Sequence, residues 1–147
     1  MMLNRDTQAV MTETQAGAEL DMLVAEQVLG LVSCDRWQVG ALSPLGEPSW
    51  RKACDHPYGT CYPHGRPMPY SRDLPSLMWV LVEMEKQGWD WRIGSDIEES
   101  VVSPQRYWCE LERGDESGDV EVIQHGDTVM VAACRAALAA ARLRQLR

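Results

Sequence analysis

Residues 88–93 read Gly-Trp-Asp-Trp-Arg-Ile, and the spacing of the apolar residues changes at this point in the chain. Upstream, between about Asp73 and Gln87, apolar residues recur every three or four positions, which is typical of an amphipathic helix. Downstream, Trp89 and Trp91 alternate with charged residues, which is typical of a strand with one buried face. The segment therefore predicts a helix that ends at a glycine and is followed at once by a strand.

Two further stretches with an alternating pattern follow along the chain. The first lies near 106–112 and the second near 119–123, and in each the apolar residues fall on one face. The run 114–118 between them contains Gly, Asp and Ser and is typical of a hairpin loop. Together with residues 89–94, these stretches predict a three-stranded antiparallel sheet.

Three helices are predicted from the periodicity. The first begins at Thr14, the second spans about 73–87, and the third spans about 128–146 and is rich in Ala and Arg. The positions that we assign to one stripe of the second helix are Leu74, Leu77, Met78, Leu81 and either Met84 or Glu85.

The order of these elements is helix, long loop, helix, three strands, helix. This order predicts an α+β domain whose helices pack on the antiparallel sheet, as an α/β sandwich. Residues 1–13 show no period and are expected to form a flexible tail, which leaves 14–147 as a single domain. We expect its long Cys/His/aromatic loop, 33–70, to be ordered without regular secondary structure, because its Trp and Tyr side chains are poor residues for a solvated coil.

The 147-residue chain has a formal net charge of −8 and five cysteines, an odd number. The negative charge argues against non-specific attraction to nucleic acid or to an anionic membrane. No apolar run approaches the roughly 20 residues that span a bilayer, and the first residues lack the apolar core of a secretion signal. We therefore expect a cytoplasmic protein with reduced thiols that binds neither nucleic acid directly nor a membrane.

The most informative chemistry lies in the long loop, where two cysteines and two histidines fall within eleven residues. They are Cys54, His56, Cys61 and His64, with Cys34 as a fifth candidate. Thiolate and imidazole are the preferred ligands of tetrahedral zinc, and four protein ligands leave no position for water. The loop therefore suggests one structural zinc ion. The alternative is a Pro-rich loop that buried aromatic residues hold in place, with its Cys and His incidental.

The same loop is the one stretch where aromatic and basic residues interleave. This combination can hold a nucleotide-like ligand by stacking and charge. The residues that we assign to ligand binding are Trp50, Arg51, Tyr58, Tyr62, Arg66, Tyr70 and Arg72. The alternative is that these rings belong to the core. A separate acidic stretch, 90–121, is either a solvated sheet face or a surface that imitates a phosphate backbone.

Three segments carry a family resemblance. Residues 18–30, 70–73 and 133–138 read Ala-Glu-Leu-Asp-Met-Leu-Val-Ala-Glu-Gln-Val-Leu-Gly, Tyr-Ser-Arg-Asp and Ala-Cys-Arg-Ala-Ala-Leu. Their order and spacing resemble the phage ABA-sandwich domain family of small phage and prophage proteins, although Arg72 stands in place of a Thr and Ala133 in place of an Ile. The resemblance implies an α/β sandwich, a phage or prophage source and hence a bacterial host cytoplasm. It implies no particular activity and does not extend to the Cys/His loop.

Because no catalytic motif is complete, we expect a binding protein rather than an enzyme. The resemblance suggests a phage or prophage accessory protein that binds a host component, with residues 33–72 as the recognition surface, and modulates host processes or defence. Three alternatives stay open: a sponge for a nucleotide-type signal, an acidic nucleic-acid mimic, and an uncharacterised hydrolase. A homo-oligomer is compatible with each.

Overall fold

The structure, a computed structural model, describes residues 15–42, 44, 48–96, 106–115 and 118–145. The predicted tail 1–13 lies outside the described residues. The first helix, predicted to begin at Thr14, begins instead at Ala18, because residues 15–17 are not helical and Gly17, with φ 142°, precedes the first helical residue. Helix α1 comprises Ala18–Leu23 and continues as a single π-helical turn, π1, Val24–Val28. The other helices are α2, Leu74–Lys86, and α3, Val129–Gln145.

The described residues contain seven strands in three sheets. Their bounds are β1 Val32–Cys34, β2 Trp37–Leu42, β3 Pro48–Lys52, β4 Cys61–Pro63, β5 Asp90–Ser95, β6 Tyr107–Asp115 and β7 Gly118–Gly126. The α+β class predicted from the sequence is confirmed.

The largest sheet is antiparallel, in the order β5-β6-β7. Trp91 lies opposite Leu111, and Leu111 lies opposite Val122, so one face of the sheet is apolar. Strands β6 and β7 are longer than predicted and leave only residues 116–117 between them. The predicted loop 114–118 was too long because a two-residue connection suffices for a hairpin.

Helix α3 lies between the sheet and the other helices. It contacts β6 and β7 on one side and α2, π1 and α1 on the other. Every residue from 131 to 141 is buried, and most of them are alanines. Small side chains let both layers approach the helix closely, so the layer order is sheet, α3, then α1 with α2. Of the three helices predicted to pack on the sheet, α3 packs along β6 and β7 and α2 contacts β5, whereas α1 contacts mainly π1 and α3.

The prediction that 33–70 lacks regular structure is wrong. Strands β1 and β4 form a parallel pair, and β2 and β3 form an antiparallel pair. Buried backbone groups need hydrogen-bond partners, and these short ladders supply them. The four strands with the connection 53–60 are called the lobe below.

One buried carboxylate joins α1 to the turn that precedes α2. Asp21 is fully buried, and its Oδ1 accepts a hydrogen bond from the backbone N–H of Ser71 at 2.7 Å. Its Oδ2 accepts one from Arg72 at 2.9 Å. Two of the segments that carry the family resemblance therefore meet through these hydrogen bonds.

Helix caps fix where α2 and α3 begin. Asp73 accepts hydrogen bonds from the backbone N–H of Ser76 at 2.9 Å and from its hydroxyl at 2.6 Å. Thr128 Oγ1 accepts from the N–H of Val131 at 3.1 Å. Such caps satisfy amide groups that have no partner within the helix. Within the described part of the chain, no helix has the length and apolar character needed to cross a membrane.

Candidate metal centre

The parallel pair β1/β4 brings two cysteines together. Val32 lies opposite Cys61, and Cys34 lies opposite Pro63. Residues two apart along a strand share a face, so Cys34 and Cys61 project on the same side of the pair. Both side chains are buried. Backbone pairing between distant segments therefore supplies half of a ligand set.

The other half comes from the connection that follows β3. Cys54 and His56 lie just after the end of β3 at Lys52. The ligand atoms of Cys34, Cys54, His56 and Cys61 all lie within 4.8 Å of one another. Three thiols and one imidazole thus converge on a single point from two strands and one loop.

The spacing of these atoms fits a tetrahedral ion. With Zn–S bonds of about 2.3 Å, two sulfur atoms of a tetrahedron lie about 3.8 Å apart. The Sγ atoms of Cys54 and Cys61 are 3.6 Å apart. The thiols are free, so all are available as thiolate ligands. The donor set is therefore of the structural Cys3His type, compatible with zinc.

Hydrogen bonds at the cluster favour a thiolate at Cys54. Desolvation acts to raise the pKa of this thiol, but hydrogen bonds from His56, Cys61 and Cys34 together outweigh it and lower the pKa to about 6. Burial raises the pKa of Cys61, and the neighbouring Cys54 acts in the same direction. Two adjacent thiols cannot both ionise readily, and a divalent cation would remove that conflict.

Three hydrogen-bond donors from the backbone and from side chains lie beside the sulfur atoms and the connection 53–60. The backbone N–H of Arg36 donates to Cys34 Sγ at 3.4 Å, and Lys52 Nζ donates to the carbonyl of Cys54 at 2.7 Å. The buried Nε1 of Trp37 has no well-aligned acceptor among the described residues. It nevertheless lies close enough to the Cys61 sulfur to lower the pKa of that thiol. A thiolate at Cys61 would give this buried donor an acceptor.

His64, which the sequence analysis assigned to the metal, is not part of the cluster. Its Nδ1 lies 2.6 Å from Ser33 Oγ, and its backbone N–H donates to the carbonyl of Cys34. Cys34 takes the place assigned to His64. Cys34 lies 20 residues before Cys54, and only the parallel pairing of β1 with β4 brings it near. No local spacing in the sequence indicates that pairing.

A pocket of about 470 Å³ opens beside the cluster. Its lining includes the ligand candidates Cys34 and His56, the pair Ser33 and His64, and Arg36. Three thiolates and one neutral imidazole around Zn²⁺ carry a net charge of −1, so the Arg36 guanidinium would partly offset the charge of a loaded site.

The residues assigned to ligand binding are distributed between the core and the surface. Tyr62 and Tyr70 are buried in the hydrophobic core, and burial raises the pKa of Tyr70 to about 12. Arg72 is bound to Asp21. Two surface cation–π pairs remain, each with its ring in the lobe: Arg66, which follows β4, over Trp50 at 5.6 Å, and Lys52 over Tyr58 at 5.1 Å. Arg51 is exposed.

The acidic stretch forms a row across the outer face of the large sheet. Asp90 lies opposite Glu112, and Glu112 lies opposite Glu121. All three side chains are exposed. Like charges directly opposite one another destabilise a sheet. Next to this row, Arg92 offsets one acid through an ion pair with Glu110 at 2.7 Å.

No protein-family model and no curated protein matches the chain. Among solved structures, the fold is similar to that of a phage protein from Bacillus cereus ATCC 14579, with a TM-score of 0.53. The match covers 86% of this chain and 93% of that one, at 15% sequence identity. At this identity the likeness concerns the fold alone.

Proposed function

We propose that this chain is a non-enzymatic accessory protein of a phage or prophage, related to the ABA-sandwich domain family, that binds a host component through a zinc-stabilised lobe. The observation that carries the proposal is the convergence of Cys34, Cys54, His56 and Cys61 within 4.8 Å. Four protein ligands complete the tetrahedron of a zinc ion, so the ion acts as a structural element and leaves no position for a reacting water. The likeness in fold to a phage protein supports the proposed phage or prophage source of the chain.

The composition of the lobe supports a recognition role. Between Asp35 and Thr60 every described side chain is at least partly exposed, so the lobe has no core of its own. Its surface carries the cation–π pairs of Trp50 with Arg66 and of Tyr58 with Lys52, and the Tyr58 side chain is 90% exposed. Exposed aromatic rings beside cations are frequent anchors of protein interfaces.

The first test measures metal content and identifies the ligands. Protein purified without added metal, with its thiols reduced, should contain about one equivalent of zinc, because structural sites bind zinc too tightly to lose it during purification. Cys34→Ser should lose most of the zinc, whereas His64→Gln should retain it. Less than about a tenth of an equivalent in the wild-type protein would contradict the zinc site. Loss of zinc in His64→Gln with retention in Cys34→Ser would instead restore the ligand set expected from the sequence.

The second test concerns the host component. The immobilised full chain is incubated with host lysate, and each retained protein is purified and measured for direct binding. Binding should be lost in Cys34→Ser and in Tyr58→Ala, and should persist in His64→Gln. If the purified host protein binds Cys34→Ser and wild type equally, the zinc-stabilised lobe is not the recognition surface.

The acidic row favours a second candidate function, a nucleic-acid mimic. Asp90, Glu112 and Glu121 are exposed and adjacent across three strands even though their mutual repulsion costs stability. A mimic should compete with DNA for a DNA-binding host protein. The triple change of these acids to the corresponding amides should abolish the competition, whereas Cys34→Ser should not.

A further inference from the structure

Two sulfur atoms of the candidate metal centre are almost in contact. The Sγ atoms of Cys54 and Cys61 lie 3.6 Å apart, and both thiols are free. A disulfide bond is about 2.05 Å long, so the two atoms need to approach by only about 1.5 Å to form one. The pair is therefore placed for a second chemistry besides metal binding, which is reversible oxidation.

The chain segment that carries Cys54 can supply this movement. The connection 53–60 contains Pro57 and Gly59, and every side chain in it is at least partly exposed. Few packing contacts thus hold the connection in place. Cys61 is fixed instead, because it pairs with Val32 in the β1/β4 ladder. Formation of the bond therefore moves Cys54 toward Cys61 and leaves both strands paired.

The same ladder excludes a disulfide between Cys34 and Cys61. Cys61 lies opposite Val32, so Cys34 is two residues further along the neighbouring strand. With strands about 4.8 Å apart and a rise of about 3.3 Å per residue, this register separates the two Cα atoms by about 8 Å. A disulfide requires about 4.4–6.8 Å between Cα atoms. Of the thiols in the cluster, Cys54 is thus the one that can bridge to Cys61 without breaking the ladder.

We infer that Cys54 and Cys61 are a site of oxidation by hydroperoxides, and that the disulfide they form expels the zinc ion. This inference rests on the zinc site of the proposed function. Cys54 reacts first, because its side chain is partly exposed, whereas Cys34 and Cys61 are buried. Cys61 then resolves the oxidised Cys54, because its sulfur atom is already beside it.

The reaction with hydrogen peroxide balances in two steps. The Cys54 thiolate attacks one peroxide oxygen and the O–O bond breaks, which gives a sulfenic acid and a hydroxide ion. The Cys61 thiolate then attacks the Cys54 sulfur, the S–S bond forms, and the S–O bond breaks with loss of a second hydroxide. The two sulfur atoms together lose two electrons to the peroxide, and two protons from solvent convert both hydroxide ions to water.

The disulfide removes half of the proposed ligand set. Thiolates bind zinc, whereas disulfide sulfur atoms carry no negative charge, so only Cys34 and His56 remain as ligands. Structural zinc sites have four ligands, and two do not retain the ion. Oxidation would thus release zinc and remove the support of the lobe, which makes the recognition surface sensitive to peroxide.

The experiment treats the reduced, zinc-loaded full chain with one equivalent of hydrogen peroxide under native conditions. A chromophoric chelator measures released zinc, and mass spectrometry of peptides locates the disulfide. We expect loss of two of the five free thiols, release of about one equivalent of zinc and a bridge between Cys54 and Cys61. Cys109 and Cys134 are internal controls, because both are completely buried and should stay reduced. Dithiothreitol with added zinc should restore the original state.

Two variants separate the roles of the thiols. Cys61→Ser cannot form the bridge, so a cyclic diketone should trap a sulfenic acid on Cys54. Cys34→Ser should still form the Cys54–Cys61 disulfide, because the sulfur contact does not depend on bound zinc. A trapped sulfenic acid elsewhere than on Cys54, or a wild-type bridge that includes Cys34, would overturn the assignment.

Failure of this inference is distinguishable from failure of the proposed function. Wild-type protein that is purified without zinc would contradict the zinc site itself. Zinc-loaded protein that forms no disulfide with peroxide would contradict only the oxidation site. So would a Cys54–Cys61 disulfide that forms while the zinc stays bound.

Discussion

The buried carboxylate of Asp21 provides the sharpest test of how the helical layer is held together. Asp21→Ala removes the group that accepts a hydrogen bond from the backbone N–H of Ser71. Ser71 is only 1% exposed, so its N–H is buried. A buried donor left without a partner costs about 1–3 kcal/mol. Arg72 can return to water, so the loss of its ion pair adds only about 0.2–1 kcal/mol. We therefore expect Asp21→Ala to lower the free energy of unfolding by about 1–4 kcal/mol.

Urea unfolding followed by tryptophan fluorescence, in zinc-saturated protein, measures this change. Asp21→Asn keeps an oxygen that can accept from Ser71 and loses only the charge, so it should cost about 1 kcal/mol. Glu19→Ala is the control, because Glu19 lies exposed on the same helix. Its effect should stay within about 0.5 kcal/mol. An Asp21→Ala loss below about 1 kcal/mol would show that water or another group satisfies the Ser71 N–H.

Three further predictions follow from contacts elsewhere in the fold. In Gly126→Ala the new Cβ would lie 2.8 Å from the backbone nitrogen of Ala132, so the variant should lose about 1–3 kcal/mol in urea unfolding. Gly114→Ala is the control, because its new Cβ would lie no closer than 3.4 Å to its nearest neighbour, Asp119 Oδ1. If Gly114→Ala lost as much stability as Gly126→Ala, the steric clash would not be the cause of the loss. Hydrogen bonds from Ser76 lower the pKa of the Asp73 carboxyl below its ordinary 3.8, so its capping contribution is present above that pH and disappears as the pH falls through the lower folded value. The urea midpoints of wild type and Asp73→Ala should therefore converge in acid. A difference between the two midpoints that stays constant down to about pH 2 would refute the assignment of the ionised Asp73 carboxylate as the cap of α2. Chelation of zinc should increase proteolysis within 50–66 while circular dichroism reports nearly unchanged helix content. A fall in helix content that accompanies the increase in proteolysis would count against a local role for the metal.

Local periodicity predicted the helices and the large sheet because their signals lie within a few neighbouring residues. The change of period at Gly88 marks the end of α2 and the start of β5 to within two residues. Periodicity could not assign the two sides of α2, because Leu74 and Met78, which are exposed, are as apolar as Leu77 and Leu81, which are buried. Only the position of α3 determines which line of side chains is buried.

Contacts between distant segments explain what the sequence did not predict. The pairing of β1 with β4 joins residues almost 30 positions apart, and short strands of three residues carry little pattern of their own. Spacing along the chain therefore makes Cys34 only a fifth candidate and favours His64, which lies close to the other three ligand candidates in sequence. The parallel ladder reverses that choice, because it directs Cys34 and Cys61 to one face and leaves His64 beside Ser33.

The lobe and helix α2 should respond differently to loss of metal. Strands β2 and β3 pair mainly with each other, and the lobe joins the body through β1 and β4, near π1. Its buried anchors are Cys34, Cys61 and Tyr62, two of which are ligand candidates. A metal ion would thus replace the core that the lobe lacks, whereas α2 is held by its own buried residues. Chelation should therefore weaken binding of a host component and leave the hydrogen-exchange protection of α2 intact. If chelation also lowers the protection of α2, the lobe is a structural part of the helical layer.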